Sequence, residues 1–383
     1  MTLKASRRGA ISPFIVMDVM RAANAREARG EDILHMEVGQ PSTSAPAAVV
    51  RAAHQALDHQ LLGYTDALGI APLRARIAAD YQDRYGVAVD PARIAITTGS
   101  SSGFILAFLA AFDAGDRVAL ASPGYPAYRN ILTALDIEVV DLQTGPNTNF
   151  QPTVEVLEGI CGRLDGLIIA SPSNPTGTMI DGAGLKALAD YCHGRGVRMV
   201  SDEIYHGITY EDTAHTLGEF DAECVIVNSF SKYYSMTGWR LGWLVVPESL
   251  LRSVECLAQN LFISAPTLSQ TAALAAFECR AELDANVARY RANRDVLLQA
   301  LPDAGFDRLS HAQGAFYVYA DVAHMTDDSR EFCREILEKT GVAVTPGVDF
   351  DPQRGHRFVR FSFAGSTTDM RRAVDRLKAG LRI

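Results

Sequence analysis

No two of the six cysteines (161, 192, 224, 256, 279 and 333) stand in a CxxC pair, and nothing suggests a secretory context. They read as reduced core residues, not as bridges. The nine histidines form no HExxH or HxH cluster, so no metal centre is expected. Long apolar runs are missing too: none approaches the roughly 18 residues of a membrane span. The N-terminal MTLKASRRGAISPFIVMDVM places basic residues before an apolar run, but Pro13 and Asp18 interrupt it and no cleavage pattern follows cleanly. It reads as a basic arm leading into a helix. Nor is there a basic excess: 36 Lys and Arg against 45 Asp and Glu give a net charge of −9, which argues against a nucleic-acid binder and leaves room for local pockets for small anions. The expectation is a cytoplasmic protein without metal, membrane or nucleic acid.

What is present is an ordinary globular composition, 48% hydrophobic and 21% charged, over 383 residues. That length exceeds what one core usually serves, so a large domain with a smaller companion is expected. The runs ARIAITTG, DRVALASP, LDIEVVDL, LDGLIIASP, GVRMVSDE, ECVIVNSF and LGWLVVP are rich in Val and Ile and bounded by Gly, Pro, Asp or Ser. Too apolar to have a wet face and separated by helical patterns such as LKALADYCHGRG, they predict an α/β fold whose mainly parallel, seven-stranded sheet is covered by helices on both sides. After about residue 280 a long charged helix, ELDANVARYRANRDVLLQAL, precedes AFYVYADV, SREFCREILEKTGVAV and RFVRFSFAG, an α+β pattern. The expected division is 41–280 as the large domain, with 1–40 and 281–383 as the small one.

Ligands of open parallel sheets sit beyond the carboxyl ends of the strands, so the residues after each run are the candidates. GSSSGF opens a helix, and Gly99, Ser100 and Ser101 can cradle a phosphate with backbone N–H groups, hydroxyls and the helix dipole; a plain serine N-cap would look the same. SPSNPTG fixes the Asn174 amide in a rigid turn, which is also how a structural Asn behaves. In SDEIYHG, Asp202 at a buried strand end is costly unless it meets a cation, with Tyr205 in the same loop and Glu203 expected to face solvent. SPGYPAY offers the Tyr125 ring to a flat ligand or to the core. NSFSKYYSMTGWRLGW places Lys232 among hydroxyls, eight residues before Arg240. Alone, a lysine is normally a solvated surface residue. GAGLKA, residues 182–187, fits a dinucleotide fingerprint, but the preceding strand ends some ten residues earlier, so the glycines miss the strand-to-helix turn that the mechanism needs.

Taken together, SNPTG, SDEIYHG and SFSKYYSMTGWRLGW resemble the class I aminotransferases, similar to aspartate aminotransferase and its relatives of pyridoxal-phosphate fold type I. The resemblance runs from ISPFIVMDVM to RFVRFSFAG. It implies that Lys232 bonds covalently to the aldehyde of pyridoxal 5'-phosphate, and that Arg240 and Ser229, with Ser231 as a further donor, hold the phosphate beside Gly99, Ser100 and Ser101. Asp202 would bind the ring nitrogen, Tyr205 and Asn174 the ring hydroxyl, and Tyr125 would stack on the ring, where many relatives carry Trp or Phe. Arg360 would grip the substrate carboxylate, helped by the backbone at Gly39, with Arg357 as its competitor on the same face. Tyr64 in GYTDALG matches a tyrosine that reaches the phosphate of the neighbouring subunit, implying a homodimer.

The activity so implied is ping-pong transfer of an amino group from an L-amino acid to a 2-oxo acid, with Lys232 as the base at the substrate Cα. The same residues would serve a β-eliminating lyase acting on a sulfur amino acid. A regulatory module with an aminotransferase-like domain would need an added DNA-binding domain, for which the stretch before the first matched segment is too short. No second arginine is apparent for a side-chain carboxylate, and Phe14, Ile15 and Tyr125 hint at a partly apolar pocket, which favours neutral or aromatic donors over aspartate.

Overall fold

Each of the seven apolar runs forms a strand: β1 (Ile94–Thr97), β2 (Arg117–Ser122), β3 (Glu138–Gln143), β4 (Gly166–Ala170), β5 (Arg198–Asp202), β6 (Val225–Ser229) and β7 (Gly242–Val245). The computed structural model describes residues 3–381. The strands lie in the order β1-β7-β6-β5-β4-β2-β3. All neighbours are parallel except β7, which runs antiparallel to both β1 and β6. Side chains alternate between two apolar cores: Leu167 and Ile169 of β4 belong to one, Ile168 to the other. A strand buried on both faces needs no polar alternation, which is why these runs read as continuous apolar stretches.

The reversal of β7 has a direct consequence for chemistry. An antiparallel strand begins where its parallel neighbours end, so Arg240, two residues before β7, sits at the same edge as the residues that follow β4, β5 and β6. The helix Ser100–Ala111 starts at that edge as well, directly after β1. It is apolar nearly all round because it lies between the sheet and the helix Glu248–Leu261.

The C-terminal part carries an antiparallel four-stranded sheet in the order Thr345–Pro346, Phe358–Ser362, Tyr317–Asp321, Arg308–Leu309. Helices Arg280–Ala300, Ser329–Thr340 and Thr367–Gly380 accompany it. The short strand Leu34–His35 pairs in parallel with Val342–Ala343, so the N-terminal segment joins this part. On that basis we propose the division 41–280 against 1–40 with 281–383. No helix among the described residues is long and apolar enough to cross a membrane.

Candidate active site

A cavity of about 430 Å³ opens at the carboxyl ends of β4, β5 and β6, between the large sheet and the helix Ile15–Glu27. Of the residues singled out in the sequence, it brings together Gly39, Ser100, Ser101, Tyr125, Asn174, Asp202, Tyr205, Ser231, Lys232, Arg240 and Arg360. A larger cleft of about 770 Å³ lies elsewhere, along Asp181, Asp212 and His215, and has no comparable convergence of cation, acid and amide. Size alone does not pick out the site.

Lys232 Nζ donates to the Gly39 carbonyl at 2.7 Å. Burial, with the Arg360 charge, lowers the amine from its usual 10.5 to about 8, against the opposing pull of Asp202. By area the residue is only partly shielded. Its amine nonetheless lies deep among protein atoms, and that depth is what desolvates it. The anion cradle is tight: a Cβ on Gly99, which adopts φ +79°, would stand 2.5 Å from Arg240 Nη2, so the guanidinium packs directly on the turn that opens the helix. Arg240 itself is left-handed at φ 52°, a conformation that non-glycine residues keep only where the surroundings enforce it.

Asp202 is buried, and burial raises its carboxyl to about 6, opposed by hydrogen bonds and by the Lys232 charge. Its Oδ1 accepts from the Ile204 N–H at 3.1 Å, and its Oδ2 accepts from the Tyr128 hydroxyl. Tyr128 was not anticipated, since a tyrosine three residues into a helix looks like core; its spacing from Tyr125 was the available signal. Tyr125 meets Phe14 and Tyr128 edge to face at 5.7 and 5.3 Å. The Tyr205 and Tyr317 hydroxyls lie 2.7 Å apart. Tyr317 too went unnoticed, although a Cβ on Gly39 would fall 1.7 Å from its phenol oxygen, which explains the glycine.

Arg360 is 2% exposed, with its guanidinium 4.4 Å from the Tyr317 ring and 4.7 Å from Phe350. Nη1 donates to Asn174 Oδ1 at 2.8 Å and Nη2 to the Glu37 carbonyl. The Asn174 oxygen is thus engaged, which leaves its NH₂ to donate into the cavity.

Some expectations need correction. Ser229 does not line the cavity: its hydroxyl can donate to the Leu241 carbonyl at 3.1 Å and lies 2.8 Å from Ser231 Oγ, so it braces the loop from behind. Glu203 does not face solvent. It is 1% exposed, with Oε1 accepting from Leu217 N, Thr216 Oγ1 and Ser201 Oγ. Arg357 is three residues from Arg360, an odd spacing, so it points away and pairs with Asp321. Val16 and Met17 line the cavity with Phe14, whereas Ile15 does not. Two other expectations are not contradicted: Tyr64 is 85% exposed and lies outside the cavity of its own chain, and residues 182–187 lie in the helix Gly182–His193, whose N-cap Asp181 accepts from Gly184 N at 2.7 Å.

These residues fit pyridoxal phosphate: a desolvated amine for its aldehyde, a buried carboxylate for its ring nitrogen, an aromatic wall for its face, and a helix start with a packed guanidinium for its phosphate. The sequence pattern described as Aminotransferase class I and II matches residues 31–377. The chain belongs to that family. It is therefore an aminotransferase, which moves an amino group from an amino acid to a 2-oxo acid, and a member of the kind that uses pyridoxal phosphate. It is 52% identical to a valine–pyruvate aminotransferase of Mycobacterium tuberculosis, over 100% of this chain and 99% of that one. A crystal structure of an aminotransferase from the same organism superposes with a TM-score of 0.98, at 52% identity and full coverage of both chains. Aspartate aminotransferase from Thermus thermophilus with maleate matches with a TM-score of 0.94 at 31% identity, over 99% of this chain and 100% of that one.

Proposed function

We propose that this enzyme is a homodimeric, pyridoxal-phosphate-dependent aminotransferase that takes its amino group from neutral amino acids such as valine and passes it to pyruvate. One observation carries the choice of donor. Of the three cations lining the cavity, Lys232 and Arg240 belong to the cofactor, and Arg360 takes the substrate carboxylate. The remaining wall includes Phe14, Val16, Met17, Val38 and Ile204, which suits an apolar side chain, and although Gln40 and Thr237 also line the cavity it offers no further cation to a second carboxylate. The name of the Mycobacterium tuberculosis relative supports the same choice.

Bound in this site, pyridoxal phosphate supplies an aldehyde that captures an amino group and a ring that accepts electrons from the substrate Cα. The protein does the rest. Lys232 Nζ, with its pKa lowered to about 8, keeps a usable free-amine fraction near neutral pH and removes the Cα proton. Asp202 holds the ring N–H, aided by Tyr128. Tyr205 and Asn174 donate to the ring hydroxyl, and Tyr125 covers the face. Arg240, Ser100, Ser101, Ser231 and the N–H groups beyond Gly99 hold the phosphate, with Ser229 bracing Ser231. Tyr64, exposed as are Leu57, Leu61, Leu261 and Ile263, is offered to the partner's phosphate site. The cysteines, all free among the described residues, fit a reducing cytoplasm.

The test is a panel of amino donors with pyruvate and with 2-oxoglutarate as acceptors. Valine with pyruvate should lead with parallel double-reciprocal lines, and aspartate with 2-oxoglutarate should trail by about tenfold or more. A leading aspartate activity overturns the choice of donor. Release of pyruvate and ammonia from a sulfur amino acid without any acceptor would instead mark a β-eliminating lyase. Lys232→Ala, run alongside, should lose turnover by at least about 10²–10⁴-fold and retain no borohydride-fixable cofactor.

A further inference from the structure

We infer that Asp349 is a positioning residue for substrate selection: its carboxylate caps the helix Ile15–Glu27 from across the molecule and so sets where Phe14, Val16 and Met17 stand against the donor side chain. This inference rests on the neutral-donor function proposed above.

The helix begins without a cap of its own. Its N-cap position is Phe14, whose side chain can accept no hydrogen bond, so the first N–H groups need an outside partner. Asp349 Oδ1 accepts from Ile15 N at 2.9 Å and Oδ2 from Val16 N at 3.2 Å, across more than 300 residues of chain. The negative charge also faces the positive end of the helix dipole. Phe14, Val16 and Met17, which form the substrate wall, are therefore fixed at the very turn that these two bonds hold.

Packing holds this turn on its inner side, where Val16 is buried and Phe14 meets Tyr125, but leaves its outer side open. A second cavity of about 510 Å³ lies on that side, lined by Ser12, Pro13, Ile15 and Asp349 itself. The other ties of the N-terminal arm lead elsewhere: Asn130 Nδ2 donates to the Ser12 carbonyl at 3.3 Å, and Arg8 pairs with Asp136 at 2.8 Å on the exposed surface, where an ion pair contributes little.

Asp349 is itself well anchored. It is 7% exposed and ends the short turn Gly347–Asp349, which follows the strand Thr345–Pro346. That strand pairs with Phe358–Ser362, and Thr345 stands opposite Arg360. The next residue, Phe350, supports the Arg360 guanidinium. One turn thus holds both limits of the substrate, the grip on its carboxylate and the wall beside its side chain.

The experiment compares Asp349→Ala and Asp349→Asn with the unaltered protein in two measurements. In the cofactor-loaded enzyme, Asp349→Ala should raise KM for valine about tenfold while kcat stays within about twofold, and should flatten the preference for valine over alanine. Asp349→Asn, which keeps one acceptor oxygen, should recover part of that preference. In the protein without cofactor, hydrogen exchange at the Ile15 and Val16 amides should quicken about tenfold in Asp349→Ala, with the amides of β4 unchanged. Unchanged exchange together with an unchanged valine-to-alanine ratio overturns the inference. So does an equal fall in kcat for every donor at constant KM, since that is general damage. If the unaltered enzyme does not use valine, the neutral-donor function fails, and the exchange measurement still decides the cap. Should Asp349→Ala not fold, Asp349→Asn carries both measurements.

Discussion

Asp202 and Glu203 are consecutive carboxyls that point to opposite faces of one strand end and meet different fates. Asp202 faces the cavity with Lys232 to offset its charge. Glu203 is sealed on the other side with three donors and no cation, and burial pushes it from 4.5 to about 8. His206, whose Nδ1 lies 3.6 Å from Glu203 Oε2, is driven down to about 3 by the same burial, so the two do not form an ion pair at neutral pH. Folding therefore takes up a proton on Glu203 between about pH 4.5 and 8, and this residue's stabilisation, complete below that window, is lost as pH rises through it. Glu203→Gln cannot ionise. It should be about 1 kcal/mol less stable than the parent near pH 5, because the amide must place two N–H groups, and the gap should close or reverse by about pH 9. Thermal melts across that range check this; a gap independent of pH would mean that Glu203 stays ionised throughout. Lys232, Asp202, Asn174 and Arg240 were legible only together: each has an ordinary structural reading alone, and it is their convergence at one sheet edge, in motifs that resemble one family, that marks them. Tyr128 and Tyr317 were not, because a tyrosine inside an apolar segment looks the same whether its hydroxyl serves the core or the site. Glu203 was misjudged because its cover, the Thr216–Leu217 turn, is supplied by a different part of the chain.

Among the elements, all seven strands of the large sheet, the helix over 185–193 and the long charged helix were readable from composition and period alone. The direction of β7 was not. A strand buried on both faces carries no mark of whether its neighbours run with it or against it, so the reversal that delivers Arg240 to the site is a tertiary fact. The short strand Leu34–His35 was readable within ILHMEV, but its partner Val342–Ala343, more than 300 residues away, was not. The junction of β1 with the helix Ser100–Ala111 gives a test at this scale. Gly99→Ala adds a methyl that collides with the Arg240 guanidinium, at a residue held in positive φ. Its affinity for pyridoxal phosphate should fall about tenfold or more in a fluorescence titration, with global stability lowered by about 1–2 kcal/mol. An unchanged affinity would remove Gly99 and Arg240 from the anion cradle.

At the scale of the molecule, the exposed side chains are as telling as the buried ones. Leu61 is 98% exposed, and Tyr64 85%, in a segment that is otherwise well ordered by hydrogen bonds such as Thr267 Oγ1 to the Gly63 carbonyl at 2.6 Å. The dimer proposed above would cover the apolar surface and take up the stranded phenol. Sedimentation should therefore show a dimer for the unaltered protein and for Tyr64→Phe alike, with pyridoxal phosphate bound about tenfold more weakly by the variant. A monomer that binds the cofactor at full strength would refute the shared site. This level of organisation left little trace in the sequence beyond the motif GYTDALG, since one chain does not show which of its apolar residues a partner covers.

The reversal of β7 leaves one more mark on the protein. Amine and guanidinium hang from a single connection between two paired strands, with Ser229 opposite Gly242 fixing where that connection starts and stops. The interval from 232 to 240 therefore works as a ruler: both of its ends are clamped, so a residue inserted there cannot be absorbed by slack and must push one charge out of reach of a ligand held by the other. The buried Tyr233, Tyr234 and Met236 limit which residues this span can carry, and the two clamped ends limit its length more strictly still.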